Sequence, residues 1–391
     1  MKILQISFHT APFGSAGKYD SGGLNIYVEK ISDQLSKNNF VTVVTAEKAE
    51  SFVKGNLEFK SLNLFDKDLS VEDKEIHLKE FINKLYESVD PESFDLKHAL
   101  AKKHNVAFEN IIVGEGIDGL LGYLVRLFVE QGDNVVTTDG AYPTFNYHVE
   151  GFGGQLHKVP FKDDTEDLDN LLNKVIETKA KLLYISNPNN PMGTINSVND
   201  INNLIEYLPT ETLLCLDEAY IDFVPTELIP DISINKSNVI RMRTFSKAYG
   251  MAGARVGYGI AAKDLILNFE KVRNHFGMSR IAQVGALVSI NDNKFINDVI
   301  SKVESSKGRI AKIALANNCK VIKSFTNFVA IDCCENADYA KKVLESLIQQ
   351  GVFVRMPYSF PQNRCIRVTA GLDKDIDLFE KAFPIALTES K

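Results

Sequence analysis

Lys247 lies in TFSKAYGMAGARVGY, residues 244–258, flanked by the hydroxyls of Thr244 and Ser246 and eight residues before Arg255. Lysine side chains ordinarily reach water, but three glycines and several small residues follow this one. Desolvated and beside other cations, such an amine can condense with a carbonyl as a Schiff base. The same residues could instead bind a phosphate. Asp217, in CLDEAYIDF, follows the apolar run LLCL. A carboxylate there is desolvated and needs a cationic partner, for which a protonated ring nitrogen would serve; a strand-end helix cap is the other reading. Tyr220 offers a hydroxyl three residues on. SNPNNPMGT, residues 186–194, sets three asparagines and two prolines after LLYI. It is either an ordered loop with amide donors aimed at a ligand or a Pro/Asn turn. VGEGIDGL, residues 113–120, is a glycine-containing strand-to-helix turn. It either presents backbone N–H groups to a phosphate or simply closes a tight turn.

These motifs need a scaffold that gathers strand ends. From Asp90 onward the pattern supplies one. DPESFDLKHALAKKHN is expected to be a helix with Asp90 as N-cap and Pro91 in its first turn. NIIVGEG leads into a helix from about Asp118 to Gln131. NVVTTD, KLLYISNP, TLLCLDEAY and NVIRMRTFS read as strands, with helices at DLDNLLNKVIETK and NDINNLIEYL. Strands alternating with helices predict a mostly parallel sheet covered on both faces, whose ligands bind outside the carboxyl ends of the strands. A helical stretch over about 263–317 follows. The tail holds strands CKVIKS, FVAIDC, VFVRM and CIRVTAG and helices ADYAKKVLESLIQQ and IDLFEKAF, a smaller α+β domain.

The bulk numbers exclude several classes. The 391 residues are 45% hydrophobic and 24% charged, with 44 Lys+Arg against 51 Asp+Glu for a net charge of −7. That is a globular composition without a basic block, so no nucleic-acid or acidic-membrane partner is expected. Five scattered cysteines lack CxxC metal spacing and read as free thiols in a reducing compartment. No signal peptide and no membrane-length apolar run is seen, so a cytoplasmic protein is expected.

NPNNPMG, DEAY and SKAYGMAGARVGY, in this order, resemble the fold-type-I pyridoxal-phosphate aminotransferases, class I/II. The nearest likeness is to the histidinol-phosphate aminotransferase branch, over about residues 90–388. The resemblance implies an α/β fold. A large domain with a mostly parallel sheet (90–265) would bind pyridoxal 5'-phosphate, and a small C-terminal α+β domain (266–391) would follow. It implies that Lys247 holds the cofactor as an internal aldimine and moves the substrate proton, and that Asp217 pairs with the ring nitrogen. Asn190 and Tyr220 would bond the phenolic oxygen, and Phe145 in AYPTFNYH would stack on the ring, with Tyr142 as substitute. The backbone of Ile117 and Asp118, the hydroxyls of Thr244 and Ser246, and Arg255 would hold the phosphate. Arg367 in CIRVTAG and Asn327 in TNFVAI would bind substrate. The implied reaction moves an amino group from histidinol phosphate or an amino acid to a 2-oxo acid, in a homodimer. A decarboxylase of the same branch would use the same lysine and aspartate.

The family's N-E-N-P-x-G opening is absent, and Tyr86 lies two positions from where the family's tyrosine is expected. Residues 1–87, with KYDSGGLNIYVEKISDQL, instead resemble the start of a family-4-type glycosyltransferase, a truncated Rossmann-like segment in which Gly22 and Gly23 open the first helix. The nucleotide-sugar domain of that family is missing, so glycosyl transfer is not expected. A non-catalytic chimera is the alternative that this junction raises.

Overall fold

The structure, a computed structural model, describes residues 90–391, Lys37, and the backbone of the strands at Lys2–Ser7 (β1), Phe40–Thr45 (β2), Phe52–Lys54 (β3) and Leu57–Ser61 (β4). The chain forms two compact units, Met1–Pro91 with Ser279–Ile281, and Glu92–Met278 with Ala282–Lys391. In the first, the strands are ordered β1-β2-β4-β3, with β1–β2 and β2–β4 parallel and β3–β4 antiparallel. The runs KILQISF, FVTVVTA and LEFKSLNLF thus contain strands. Gly22, Gly23, the helix after them and Tyr86 lie outside the described residues.

The second unit holds two sheets. Seven strands, β5 (Ile111–Gly114), β6 (Asn134–Thr138), β7 (Gln155–Val159), β8 (Leu182–Ser186), β9 (Leu213–Asp217), β10 (Val239–Thr244) and β11 (Gly257–Ala261), are ordered β5-β11-β10-β9-β8-β6-β7. From β10 to β7 every pairing is parallel. β11 runs antiparallel to both neighbours. Every residue of β8 and β9 is buried, as strands covered on both faces must be. Helix Gly116–Phe128 packs Leu120, Leu121 and Leu124 onto one face; helices Leu168–Thr178 and Val198–Tyr207 pack Leu171, Val175, Ile201 and Leu204 onto the other. Each such side chain contributes about 1.5–3 kcal/mol by leaving water. The register brings Ser186 beside Asp217, and Met242, two residues before Thr244, beside Asp217 on its other flank. The chemistry-bearing ends of β8, β9 and β10 therefore share one sheet edge.

A three-stranded antiparallel sheet, β12 (Lys320–Val321), β13 (Phe328–Asp332) and β14 (Cys365–Thr369), has its own core under helices Asn293–Ala316, Ala337–Gln349 and Asp373–Glu389. Arg364, just before β14, forks between Asp332 at 2.9 Å and Asp164 at 2.7 Å, tying this sheet to the loop before Leu168–Thr178.

Several local expectations change. Pro91 sits in a turn, and the helix begins at Phe94 with Ser93, not Asp90, at its N-cap. Proline suits a turn as well as a first helical turn. The next helix starts at Gly116, two residues early, and this first residue takes φ 82°, a conformation open to glycine. The stretch 263–317 is broken into Lys263–Phe269, Arg280–Asn291 and Asn293–Ala316. VFVRM is not a regular strand; it makes a single antiparallel bridge, Arg355 to Arg367.

Candidate active site

Asp217 ends β9 and is 5% exposed. The hydroxyl of Tyr184 donates to its Oδ2 at 2.7 Å, and the Ala219 N–H donates to Oδ1 at 2.9 Å. Burial raises its pKa above the ordinary aspartate value, while the Tyr184 bond, the Ala219 bond and the charge of Lys247 pull the other way. The apolar run LLCL therefore leaves a desolvated carboxylate that feels the charge of Lys247. The Lys247 ammonium stands 5.2 Å from the ring centroid of Tyr220, and Tyr220 meets Phe328 edge-on at 5.5 Å. Lys247, Asp217, Tyr220, Asn190, Ile117, Asp118, Thr244, Ser246 and Arg255 all line one cavity of about 160 Å3.

One end of that cavity is built for an anion. The first turn of helix Gly116–Phe128 opens into it. A Cβ on Gly116 would stand 2.6 Å from Arg255 Nη2, so only glycine lets the guanidinium lie against the helix start. A Cβ on Gly257 would stand 2.6 Å from Gly116 C and from Ile117 N, so the start of β11 must be bare to touch the same turn. Arg255 itself adopts φ 54°, in the left-handed region that costs a branched or long residue about 1–2 kcal/mol. Thr244 Oγ1 lies 3.0 Å from Ser246 Oγ and accepts from the Ser246 N–H at 3.1 Å, which sets both hydroxyls beside the helix end.

The asparagine-rich loop divides its labour. Asn187 Oδ1 accepts from the Asn196 N–H at 2.8 Å, and Asn189 Oδ1 accepts from the Met192 N–H at 3.0 Å. Two of the three amides thus hold the loop, and only Asn190 faces the cavity. Its Oδ1 accepts from Arg367 Nη1. Arg367 does not line the cavity itself but reaches its rim through that bond, with its guanidinium 4.7 Å over Phe328. Its buried Nε has no partner. Burial lowers the pKa of Arg367; Tyr220 raises it and the charge of Arg355 lowers it further. Asn327 does not line the cavity either; its carbonyl accepts from Ala370 N–H at 2.8 Å, at the entry to β13.

Phe145, expected as the stacking ring, is not among the residues that line the cavity. It is fully buried under the sheet and stacks on Tyr184 at 4.4 Å and 13°, so it buttresses the tyrosine that holds Asp217. Tyr142, 39% exposed, lines the cavity. The turn before Thr144 points the first aromatic of AYPTFNYH outward and the helix turns the second inward, a distinction that periodicity in so short a segment does not carry. The sequence reading also missed Tyr184, Ser186 and Arg355. Ser186 and Tyr184 could have been found from the alternation along LLYIS, which sends every second side chain to one face. Beneath the site, Glu218 is 1% exposed and held by Arg241 at 2.8 Å and Arg243 at 2.7 Å. Burial pushes its pKa up, but the two guanidiniums outweigh that and leave it below the ordinary value.

A sequence model of the family "Aminotransferase class I and II" matches residues 71–379. The histidinol-phosphate aminotransferase of Desulfotalea psychrophila is 33% identical over 306 residues, covering 77% of this chain and 80% of that protein. That of Bacillus subtilis strain 168 is 32% identical over 286 residues, covering 72% and 78%. The crystal structure of histidinol-phosphate aminotransferase from Sinorhizobium meliloti in complex with pyridoxal-5'-phosphate superposes with a TM-score of 0.77 at 45% identity, over 80% of this chain and 86% of that one. The L-threonine-O-3-phosphate decarboxylase of Porphyromonas gingivalis, 20% identical with a TM-score of 0.66, shares the fold. With its lysine, carboxylate and anion cradle on one sheet edge, the chain belongs to the class I and II aminotransferases.

Proposed function

We propose that the chain is a pyridoxal-phosphate-dependent aminotransferase whose amino substrate carries a phosphate ester, histidinol phosphate being the case its relatives supply, with a 2-oxo acid as acceptor. The residues fit the cofactor. The glycine cradle at Gly116 and Gly257, with Arg255 and two hydroxyls, suits a phosphate dianion. Asp217, buried and held by Tyr184 and the Ala219 N–H, suits a protonated ring nitrogen, and Lys247 lies in the same cavity. When bound, pyridoxal phosphate supplies an electron sink for the carbanion left by proton loss from the substrate carbon.

The chain's own residues do the rest. Lys247 would supply the amine that holds the cofactor and would take and return the proton of the substrate carbon. Asp217, kept in place by Tyr184 and Ala219, holds the ring nitrogen's proton. Asn190 and Tyr220, which line the same cavity, would donate to the ring's oxygen. The single observation that carries the substrate class is the pair Arg355 and Arg367. These residues exchange backbone hydrogen bonds at 3.1 and 2.6 Å across facing segments, beside the cavity rim. Two arginines paired across facing backbone segments, with the Arg355 charge lowering the pKa of Arg367 and a buried Arg367 donor lacking a partner, match a dianion better than a single carboxylate.

Among the described residues no helix is long and apolar enough to cross a membrane. We place the enzyme in the cytoplasm as a homodimer, as its family resemblance suggests; light scattering checks the assembly. The central test is borohydride reduction of the chain with pyridoxal phosphate, followed by peptide mapping. Label on Lys247 supports the reading, and an unmodified Lys247 at saturating cofactor defeats it. Turnover of histidinol phosphate, but not histidinol, with a 2-oxo acid supports the substrate; carbon dioxide release would make the chain a decarboxylase instead.

A further inference from the structure

Glu166 belongs to none of the motifs, yet it lies directly behind the active cavity. It is 2% exposed. One carboxylate oxygen accepts from the backbone N–H and the hydroxyl of Ser186 at 3.1 and 2.8 Å, and the other accepts from the Thr138 hydroxyl at 2.9 Å. Thr138 ends β6, and Ser186 ends β8 and lines the cavity. Ser186 is also the register partner of Asp217. One carboxylate therefore joins two strand ends and sits a single residue behind the key aspartate. It also lines a second cavity of about 480 Å3, whose other charged lining residues are Lys162, Asp163, Asp167, Asp169 and Asp200. On the side of the active cavity the titratable groups are Asp217 and Tyr184.

We propose that Glu166 is a positioning residue of this active site, holding Ser186 at the cavity wall and setting a second, proton-controlled negative charge behind Asp217. The inference rests on the reading that Asp217 faces a protonated ring nitrogen. With Glu166 ionised, two carboxylates hold that cation; with Glu166 protonated, Asp217 holds it alone. The proton leaves to solvent through the second cavity, so no group in the active cavity has to carry it. Burial pushes the Glu166 pKa up to about 7, against the bonds from Ser186 and Thr138, so the change falls near neutral pH.

The test measures the dissociation constant of pyridoxal phosphate for the wild-type chain and for Glu166→Gln between about pH 6 and pH 8. Glutamine keeps the size and an oxygen for Ser186 but cannot ionise. The ratio of variant to wild-type constants is expected to rise about tenfold across that range. A ratio independent of pH would mean that Glu166 is only a brace, and would overturn the proposal. Asp217→Asn separates the two layers of argument. If it leaves cofactor binding unchanged, the role of Asp217 fails; if it weakens binding while the Glu166→Gln ratio stays flat, only the present inference fails. Should Glu166→Gln not fold, carbon-13 NMR of glutamate-labelled wild-type chain serves instead. A glutamate carboxyl titrating near neutral pH should titrate lower in Asp217→Asn, and an unmoved midpoint overturns the proposal.

Discussion

Replacing Gly257 with alanine probes the anion cradle at its tightest point. The added methyl would meet Gly116 C and Ile117 N at 2.6 Å, and Gly116 Cα at 2.9 Å. Ordinary contact begins at 3.4 Å, so the helix start must retreat by 3.4 − 2.6, about 0.8 Å. The obstructing atoms are backbone, and no side chain can swing aside. Overpacking of this kind costs about 1–3 kcal/mol of stability. A retreat of that size also takes the first-turn N–H groups out of hydrogen-bonding range of a phosphate. Losing one bond to a charged group, at about 1.5–3 kcal/mol, predicts an about 10- to 150-fold weaker hold on pyridoxal phosphate. The assay is cofactor titration followed by absorbance, with thermal unfolding of the cofactor-free chain alongside. Gly253→Ala is the control, because nothing lies within 4 Å of a Cβ there. If Gly257→Ala binds the cofactor like the wild type while Gly253→Ala does too, the helix start does not hold the phosphate and the cradle argument is wrong.

Glu218→Gln strands Arg241 and Arg243 without their shared carboxylate, and denaturant unfolding should show a loss of about 3–5 kcal/mol. Tyr142→Leu should alter the visible absorbance and affinity of the bound cofactor, whereas Phe145→Leu should chiefly lower the melting temperature, since Phe145 packs on Tyr184 outside the cavity. A raised folded-state pKa means that the native chain binds the Glu166 proton more tightly than the unfolded one. That stability is present below about pH 4.5 and is lost as pH climbs through about 7. Over that window the wild-type chain should lose ~3 kcal/mol relative to Glu166→Gln, at about 1.4 kcal/mol per pH unit; parallel stability curves would contradict the burial of an ionisable carboxyl.

Much of the site could be read from the chain because its chemistry sits at strand ends, where apolar runs stop and polar motifs begin. LLCL followed by Asp217, and NVIRMR followed by Thr244 and Lys247, announce both the buried strand and the residue it delivers. Glycines announce close approaches, so the cradle around Gly116 was also visible. What stayed hidden depends on register and on pairing between distant segments. Glu166 stands in DDTEDLD, which reads as the acidic start of a helix; only the fold brings Ser186 and Thr138 to it. Arg355 lies in an apolar run that looked like a strand, and its meaning comes from the single bridge to Arg367. Asn187 and Asn189 looked like ligand donors because composition cannot tell an amide that braces its own loop from one that faces a cavity.

The bond from Arg367 to Asn190 has an electrostatic corollary. An amide steadies the guanidinium without cancelling its charge, whereas a carboxylate in that place would have left the rim neutral. The bond thus steadies the arginine while leaving its charge unpaired by a carboxylate. On the proposed reading, an anion bound at Arg367 would displace a neutral oxygen and leave the Asn190 amide to the cofactor side, so that occupancy at the rim and the set of the ring would be joined through one side chain.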